Sequence, residues 1–259
     1  MIDSTAAGQL ADKTAIVTGA ASGLGLGIAS RFVAEGARVI LADIDAEGGA
    51  RAAEGLGEAA RFVHHDTSRV DHWQRLTAAA EEQFGGLDIL VNNAGVTLMG
   101  SVEDVSIEDF DRTWAINTRG TFLGCRFAID LMKPKKAGAI VNIASVSAFK
   151  PQPELVAYNA SKAAVALMTQ SIALHCARSG YGIRCNAINP GVIRTPMLDK
   201  VIAQVEDGEA LMASYRAMHP IGRIGEPADI ASMAVYLASD AAGFITGTSF
   251  TVDGGLGIN

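Results

Sequence analysis

The 259-residue chain is poor in cysteine and has no long apolar run, and each shortage excludes a class of protein. Its cysteines, Cys125, Cys176 and Cys185, are too few and too scattered for a disulfide framework or a paired-cysteine metal site. No apolar stretch reaches the length of a membrane span, about 20 residues. Residues 1–13 lack a basic region followed by an apolar core, so we expect no secretory signal. These features favour a soluble protein of a reducing, cytoplasmic compartment.

The chain also lacks an excess of basic residues. Its net charge is −7, from 21 lysines and arginines against 28 aspartates and glutamates. This balance disfavours a broad nucleic-acid surface, so we expect neither a nucleic-acid nor a membrane partner. The five histidines show no H-E-x-x-H spacing and no carboxylate cluster, so we expect no catalytic metal. Hydrophobic residues make up 49% of the chain, which is enough for a substantial core.

Apolar runs alternate with helical patterns along the chain. The predicted strands are 14–18, 38–42, 61–64, 89–91, 139–143, 183–188 and 249–252. The predicted helices are 24–35, 46–55, 69–84, 106–132, 157–178 and 227–238. Continuous apolar strands separated by helices predict an α/β fold: a doubly wound, Rossmann-type parallel sheet of about seven strands with helices on both faces. No linker is visible, so we expect one domain over 1–259, with short helices near 196–226 forming a substrate lid.

A glycine-rich segment, TGAASGLG at 18–25, joins the first strand to the first helix. Gly19 permits a tight turn, Gly23 lets the backbone approach a pyrophosphate, and Gly25 allows close packing of helix on strand. The free N–H groups of the helix N-terminus would then face the phosphates. The pattern is a variant of the dinucleotide-binding fingerprint, in the structural context that binding requires.

Asp43 ends the second predicted strand, eighteen residues after Gly25. A carboxylate there can accept hydrogen bonds from ribose hydroxyls and would repel a 2′-phosphate. No lysine or arginine occupies positions 20–22 or 44. The sequence therefore favours NAD over NADP, although Asp43 could instead cap the next helix.

Tyr158 and Lys162 are four residues apart, and Ser145 lies thirteen residues before Tyr158. On a helix, this spacing places the phenol and the ammonium on one face. A nearby cation lowers the pKa of a phenol, which is otherwise about 10. Lowering it by about 3 units takes roughly 4 kcal/mol, so a cofactor ring with positive charge would be needed in addition to Lys162. The alternative is an ordinary half-buried tyrosine beside a surface lysine.

With these segments together, residues 10–257 resemble the short-chain dehydrogenase/reductase family in its one-domain form. The resemblance rests on an ordered set of motifs: TGAASGLG at 18–25, Asp43, NNAG at 92–95, Asn117, Ser145, YNASK at 158–162 and NPGVIRTPM at 189–197. Several stretches, including the one around Ser145, are similar to bacterial hydroxysteroid and alicyclic alcohol dehydrogenases. The family usually forms homotetramers, so the resemblance implies one here, with contacts through 106–132, 157–178 and 248–257.

The resemblance implies a role for each matching residue. Tyr158 would be the general acid/base, with Lys162 lowering its pKa and binding the nicotinamide ribose. Ser145 would hold the substrate oxygen, and Asn117 would fix a backbone geometry and a proton-passing water. Asn92, with its neighbours at 94–95, would line the adenosine side and steady the sheet. The residues implied to bind the cofactor are Gly19, Ser22, Gly23, Leu24, Gly25, Asp43, Asp66, Thr67, Asn93, Ala94, Gly95, Tyr158, Lys162, Pro190, Gly191, Ile193 and Thr195.

Several of these residues have a second interpretation. Ser147 would point to the same side as Ser145 in an extended run. Asn117 could be a plain helix amide, Asp66 could cap the following helix, and Thr195 could belong only to a turn. We prefer Ser145 to Ser147 because of its spacing from Tyr158.

The predicted activity is interconversion of a secondary alcohol and its ketone with NAD. Apolar residues at 96–99, 147–155 and after Pro196 favour a hydrophobic, cyclic substrate such as a steroid, a terpene or a cycloalkanol. Two alternatives remain. A 3-oxoacyl-carrier-protein reductase would use NADPH and present a basic patch to its carrier. A non-catalytic, cofactor-sensing regulator would usually lack the serine, tyrosine and lysine found here.

Overall fold

The computed structural model describes residues 8–203 and 205–259, without the side chains of residues 197, 200 and 201. Residues 1–7, part of the segment in which a secretory signal was sought, lie outside the described residues. In the described part of the chain, seven parallel strands form one sheet. The strands are β1 (Thr14–Thr18), β2 (Arg38–Asp43), β3 (Ala60–His64), β4 (Ile89–Asn92), β5 (Gly138–Ile143), β6 (Ile183–Pro190) and β7 (Ser249–Val252).

Nine α-helices are found in the same part of the chain. They are α1 (Gly23–Ala34), α2 (Ala46–Leu56), α3 (Val70–Phe84), α4 (Ile107–Thr113), α5 (Gly120–Met132), α6 (Val156–Arg178), α7 (Pro196–Ile202), α8 (Gly208–Met218) and α9 (Pro227–Ala238). Local signals begin and end several of them: Asp45 accepts a hydrogen bond from Gly48 N at the start of α2, and left-handed Gly85 follows α3. No described helix is long and apolar enough to cross a membrane.

The strand order in the sheet is β3-β2-β1-β4-β5-β6-β7. Alternate residues of each strand face opposite layers of helices, as the pleat requires. In β1, Ala15 and Val17 pack with α1 and α9, while Ile16 packs with α3 and α5 on the other face. The predicted doubly wound, Rossmann-type sheet covered on both faces is therefore confirmed. The chain reverses its direction of winding between β1 and β4, which is where such folds bind ligands.

The predicted long helix over 106–132 is wrong in one respect. Residues Trp114–Arg119 form a π-helical stretch between α4 and α5. A π-turn adds a residue to the helical repeat, and such insertions are frequent at functional sites. The predicted short helices of 196–226 are found as α7 and α8.

Candidate active site

A cleft of about 790 Å³ runs across the carboxyl ends of the central strands, over the point between β1 and β4. Nearly every residue that the sequence analysis singled out lines it. The lining includes the predicted site residues at 19, 22–25, 43, 66–67, 93–95, 145, 158, 162, 190–191, 193 and 195. Asn117 and Asn92 are exceptions: Asn117 is buried behind the wall, and Asn92 points into the sheet.

The glycine-rich turn is built from backbone conformations and contacts that side chains would disturb. Gly19 and Gly23 have φ values of +64° and +56°, in the left-handed region. A Cβ atom on Gly25 would lie 2.1 Å from the carbonyl oxygen of Gly19. Helix α1 starts at Gly23, and Ser22 before it makes no side-chain cap. The first N–H groups of α1 therefore remain available to an anion.

Residues at the end of β4 hold this turn in place. The amide of Asn93 donates to the carbonyl oxygens of Thr18 and Gly19, at 2.9 and 3.1 Å. In return the Thr18 hydroxyl accepts from the backbone N–H groups of Asn93 and Ala94, both at 3.0 Å. Asn92 instead points into the sheet, where its amide donates to Asn142 Oδ1 at 2.8 Å. Asn92 thus steadies the sheet but does not line the cleft, contrary to part of the expectation for it.

The Asp43 carboxylate lies at the edge of the cleft. Its Oδ2 accepts from Ala21 N at 2.9 Å, and its Oδ1 accepts from Asp45 N at 3.0 Å. These bonds hold the charge beside the glycine-rich turn. Asp43 does not cap α2, because Asp45 does. Among the described residues that line the cleft, the only lysine and arginine are Lys162 and Arg112.

Asp66 follows β3 and takes part in a local turn. Its Oδ1 accepts from the N–H and the hydroxyl of Ser68, and its own N–H donates to His72 Nδ1 at 2.9 Å. Burial raises the pKa of Asp66, but the Ser68 hydrogen bonds outweigh burial, so the pKa is lowered overall. Arg69, not Asp66, is the cap residue of α3. The helix-cap interpretation of Asp66 is therefore wrong.

Three side chains meet at the other end of the cleft. Ser145 lies just beyond β5, and its Oγ accepts from Ser147 N at 3.1 Å, which leaves its O–H free to donate. Tyr158 lies in the first turn of α6, with Lys162 one turn later. The Lys162 ammonium is 5.7 Å from the centre of the Tyr158 ring and donates to Ile143 O at 2.8 Å. Ser147 also lines the cleft, but Ser145 is the serine whose hydroxyl acts to lower the pKa of the Tyr158 phenol.

Burial is the largest influence on the pKa values of Tyr158 and Lys162. Burial raises the pKa of Tyr158, and hydrogen bonds with the hydroxyls of Ser145 and Thr97 offset only part of the rise. Burial also lowers the pKa of Lys162 to about 8. Desolvation of the phenolate is thus the largest effect on the Tyr158 pKa, and its lowering by Lys162 together with a charged cofactor ring stays a prediction.

Asn117 occupies the π-helical stretch and is almost fully buried. Its amide exchanges two hydrogen bonds with the backbone of Val96, both at 2.9 Å, and donates to Ser161 Oγ at 3.0 Å. Ser161 precedes Lys162 on α6, so Asn117 joins the loop after β4 to the helix that carries Tyr158. Asn117 is more than a plain helix amide, since it fixes the backbone on which the cleft wall is built.

The wall beyond β6 is formed by residues 190–195. Gly191 N donates to Val252 O at 3.1 Å, Gly225 N donates to Val192 O at 2.9 Å, and Arg194 N donates to Gly225 O at 2.8 Å. Thr195 packs against Gly23 and its Oγ1 accepts from Leu198 N at 3.5 Å, in the first turn of α7. Thr195 therefore both starts a helix and lines the cleft.

Some cleft residues were not anticipated. They follow directly after strands whose ends were predicted, and that position is the signal that could have indicated them. They include Ile44 after β2 and His65 and Ser68 after β3. Val192, Leu198, Tyr215 and Leu256 complete an apolar side of the cleft next to Tyr158. The side chains of Met197 and Val201, which the sequence analysis counted with this wall, lie outside the described residues.

The cleft fits a dinucleotide. One end has positive-φ glycines and a helix N-terminus whose N–H groups are uncapped by a side chain, which suits a pyrophosphate. The other end has a phenol, a hydroxyl and a buried ammonium, which suit proton transfer to or from an oxygen. Together the sheet and this site define a nicotinamide-dependent oxidoreductase of the Rossmann type.

The chain belongs to the short-chain dehydrogenase/reductase family. A sequence model of this family, described as enoyl-(acyl carrier protein) reductase, matches residues 19–257. The chain is 45% identical to an NADP-dependent (R)-specific alcohol dehydrogenase of Lentilactobacillus kefiri, over 95% of this chain and 97% of that protein. It is 39% identical to a 3-beta-hydroxysteroid dehydrogenase of Comamonas testosteroni, over 95% and 96%. It is 42% identical to 3beta-hydroxysteroid dehydrogenase 1 of Eggerthella lenta, over 96% and 95%.

Proposed function

We propose that the chain is an NAD-dependent dehydrogenase that interconverts a hydrophobic, cyclic secondary alcohol and its ketone. The proposed substrate is a steroid, a terpene or a cycloalkanol. The observation that carries the proposal is the meeting of Ser145, Tyr158 and Lys162 at one end of a cleft whose other end holds the glycine-rich turn and Asp43.

The cofactor would be held along the whole cleft. The turn at 19–25 would bind the pyrophosphate, Asp43 the adenosine ribose, and Asp66 with Thr67 the adenine. Residues 93–95 would lie under the adenosine side, and Lys162 would bind the nicotinamide ribose. Residues 190–195 would hold the carboxamide. When bound, oxidised NAD supplies the hydride acceptor and one positive charge.

Tyr158 would take the proton of the alcohol while the Ser145 hydroxyl holds the alcohol oxygen. Because burial raises the pKa of Tyr158, forming the phenolate requires positive charge nearby. The ammonium of Lys162 provides this charge, with its Nζ 5.7 Å from the centre of the Tyr158 ring. Because Lys162 is buried, solvent screens the interaction only weakly. Asn117 supports a water-borne proton route by fixing the backbone beside Lys162. Thr97 adds a second hydroxyl to the phenol, and this supports the same assignment.

The choice of NAD rests on Asp43. Its carboxylate is fixed by two backbone N–H groups at the place where a 2′-phosphate would have to lie. The lysine and arginine among the described lining residues are Lys162 and Arg112, and neither adjoins Asp43 in sequence. The Lentilactobacillus relative is NADP-dependent, so the preference of this chain has to be measured with both cofactors.

The substrate proposal rests on the apolar side of the cleft. Leu198, Met212 and Ile224 form a buried cluster against Val192 and Tyr215, and several of these line the cleft. A wall of this kind favours an apolar body with a single reacting oxygen. Two of the relatives are named as hydroxysteroid dehydrogenases, which supports a cyclic alcohol.

The same proposal covers organisation and location. We place cofactor binding and catalysis in one domain, with α7 and α8 as the lid. Exposed apolar side chains on α5 and α6, such as Phe122, Leu167 and Leu174, support a homotetramer. The described cysteines are free and buried, in keeping with a cytoplasmic location. Light scattering of the purified protein would test the tetramer.

A nicotinamide absorbance assay tests the activity. It should use a panel of cyclic and linear secondary alcohols and the corresponding ketones, each with both cofactors. The highest kcat/KM is expected with NAD and a cyclic alcohol. Preference for acyl-carrier thioesters with NADPH would support the carrier-protein reductase instead. Binding of NAD with no turnover on any member of the panel would favour the regulator.

A further inference from the structure

His219 follows α8 and is almost completely buried, with 2% of its surface exposed. Both ring nitrogens make contacts: Nε2 lies 3.2 Å from Val192 N, and Nδ1 lies 2.6 Å from Tyr215 O. Since a backbone N–H can only donate, Nε2 must accept, and the ring hydrogen must be on Nδ1. A neutral imidazole with that tautomer satisfies both contacts at once.

The two bonded segments both line the cleft, and Val192 and Tyr215 pack against the same buried cluster of Leu198, Met212 and Ile224. Tyr215 belongs to α8 and lines the cleft with its side chain. Val192 is the centre of the wall after β6, between Gly191 and Ile193. The ring of His219 therefore joins the substrate side of the cleft to the side proposed for the nicotinamide.

Packing around the ring is tight. A Cβ atom on Gly191 would be 3.0 Å from His219 Nε2 and 2.9 Å from Asp253 Cα. The wall is also held by Gly191 N donating to Val252 O and Gly225 N donating to Val192 O, at 3.1 and 2.9 Å. These bonds tie the wall to the sheet and to residue 225. Among the hydrogen bonds described for the wall, the one from Val192 N to His219 links it to α8.

We propose that His219 is a positioning residue that fixes the wall at 190–193 against α8, so that the nicotinamide end of the cofactor is held beside Tyr158. The proposal rests on the proposed function only in placing the nicotinamide at this wall. The adenosine end, at Asp43 and Asp66, lies on the far side of the cleft and does not depend on the ring. Loss of the Nε2 acceptor should therefore weaken one end of the dinucleotide alone.

Two matched variants test this. His219→Asn keeps an amide that can donate to Tyr215 O but is too short to reach Val192. His219→Gln places an acceptor oxygen close to the position of Nε2. Titration calorimetry with NADH and with ADP-ribose, which lacks the nicotinamide, measures the affinity that the nicotinamide end adds.

In His219→Asn, we expect the ratio of the ADP-ribose Kd to the NADH Kd to fall by about tenfold, as for a buried N–H that loses its acceptor. The ADP-ribose Kd should not change. His219→Gln should recover most of the ratio, and kcat should follow it in both variants.

Three results would overturn the proposal: an unchanged ratio in His219→Asn, a ratio in His219→Gln as low as in the asparagine variant, or equal loss of both affinities with a lower melting temperature. The last would show a purely structural role. A native protein that binds both ligands but oxidises no alcohol would refute the proposed activity, and the affinity ratio would still decide the role of His219.

Discussion

The buried ammonium of Lys162 donates a hydrogen bond to the carbonyl oxygen of Ile143, at 2.8 Å. Ile143 is the last residue of β5, two residues before Ser145, so this bond ties the helix carrying Tyr158 to the strand carrying its hydroxyl partner. The cost is the burial of a cation, seen as the lowering of the Lys162 pKa to about 8. Placing the Lys162 ammonium in this buried position therefore lowers the stability of the folded protein.

This cost gives a pH-dependent prediction for Lys162→Met. Between the folded pKa of about 8 and the unfolded value of 10.5, the unfolded state holds the proton and the folded state does not, so stability rises with pH. The free energy of unfolding of the native protein, minus that of the variant, should rise by about 3 kcal/mol from pH 7 to 10.5. Urea unfolding over this range measures the difference, and a flat profile would contradict a depressed Lys162 pKa.

Tyr158→Phe should abolish turnover, because it removes the proton acceptor while leaving the ring in place. We expect kcat to fall by at least about a hundredfold, with the NAD dissociation constant nearly unchanged. Initial rates and calorimetric titration measure the two effects. Tyr236→Phe, on α9 and partly exposed, is the matched control and should retain native activity. Retention of a tenth of the activity by Tyr158→Phe would point to another base.

Asp43→Ala should narrow the gap between NAD and NADP. Removing the carboxylate takes away both the ribose acceptor and the repulsion of a 2′-phosphate, so we expect the ratio of kcat/KM values to shift toward NADP by at least about tenfold. Asp43→Asn removes the negative charge but keeps an amide oxygen that can still accept from Ala21 N. This variant therefore tests the effect of the charge apart from that of the hydrogen bond. Equal use of both cofactors by the native protein would refute the assignment.

Gly25→Ala should destabilise the protein and impair cofactor binding. The new methyl group would lie 2.1 Å from Gly19 O and 2.6 Å from Asn93 Nδ2, so the glycine-rich turn would have to move. Overpacking of this kind costs about 1–3 kcal/mol. Gly55→Ala is the control: it is near the end of α2 with nothing within 4 Å, and should stabilise by about 0.5–1 kcal/mol. Chemical denaturation of both variants tests the contrast, and equal effects would contradict it.

Much of this structure could be predicted from the sequence, because apolar strands and their glycine or proline boundaries are local signals. Thr14–Thr18 and Ser249–Val252 are strands over the predicted residues. The π-helical stretch at 114–119 could not be predicted, since one added residue hardly alters the apolar periodicity. Nor could the sequence show that Asn93 faces the cleft while Asn92 faces the sheet, because that depends on how the end of β4 lies against β1.

The ionisation state was the hardest property to predict. The spacing of Tyr158 and Lys162 indicates that they are neighbours on a helix, and they are. It does not indicate how deeply the phenol is buried, and burial determines the direction of its pKa shift. The sequence also does not indicate the contacts of the His219 ring. They come from Val192 and Tyr215, which are 27 and 4 residues away along the chain.

The strand order has a consequence for synthesis of the protein on the ribosome. Strand β1 is made first, but its neighbour β4 ends at Asn92, and the far wall of the cleft ends at Thr195. A nascent chain cannot assemble a complete dinucleotide site until Thr195 has left the exit tunnel. We therefore expect the complete cofactor site to form only after the residues of the first six strands have been synthesised.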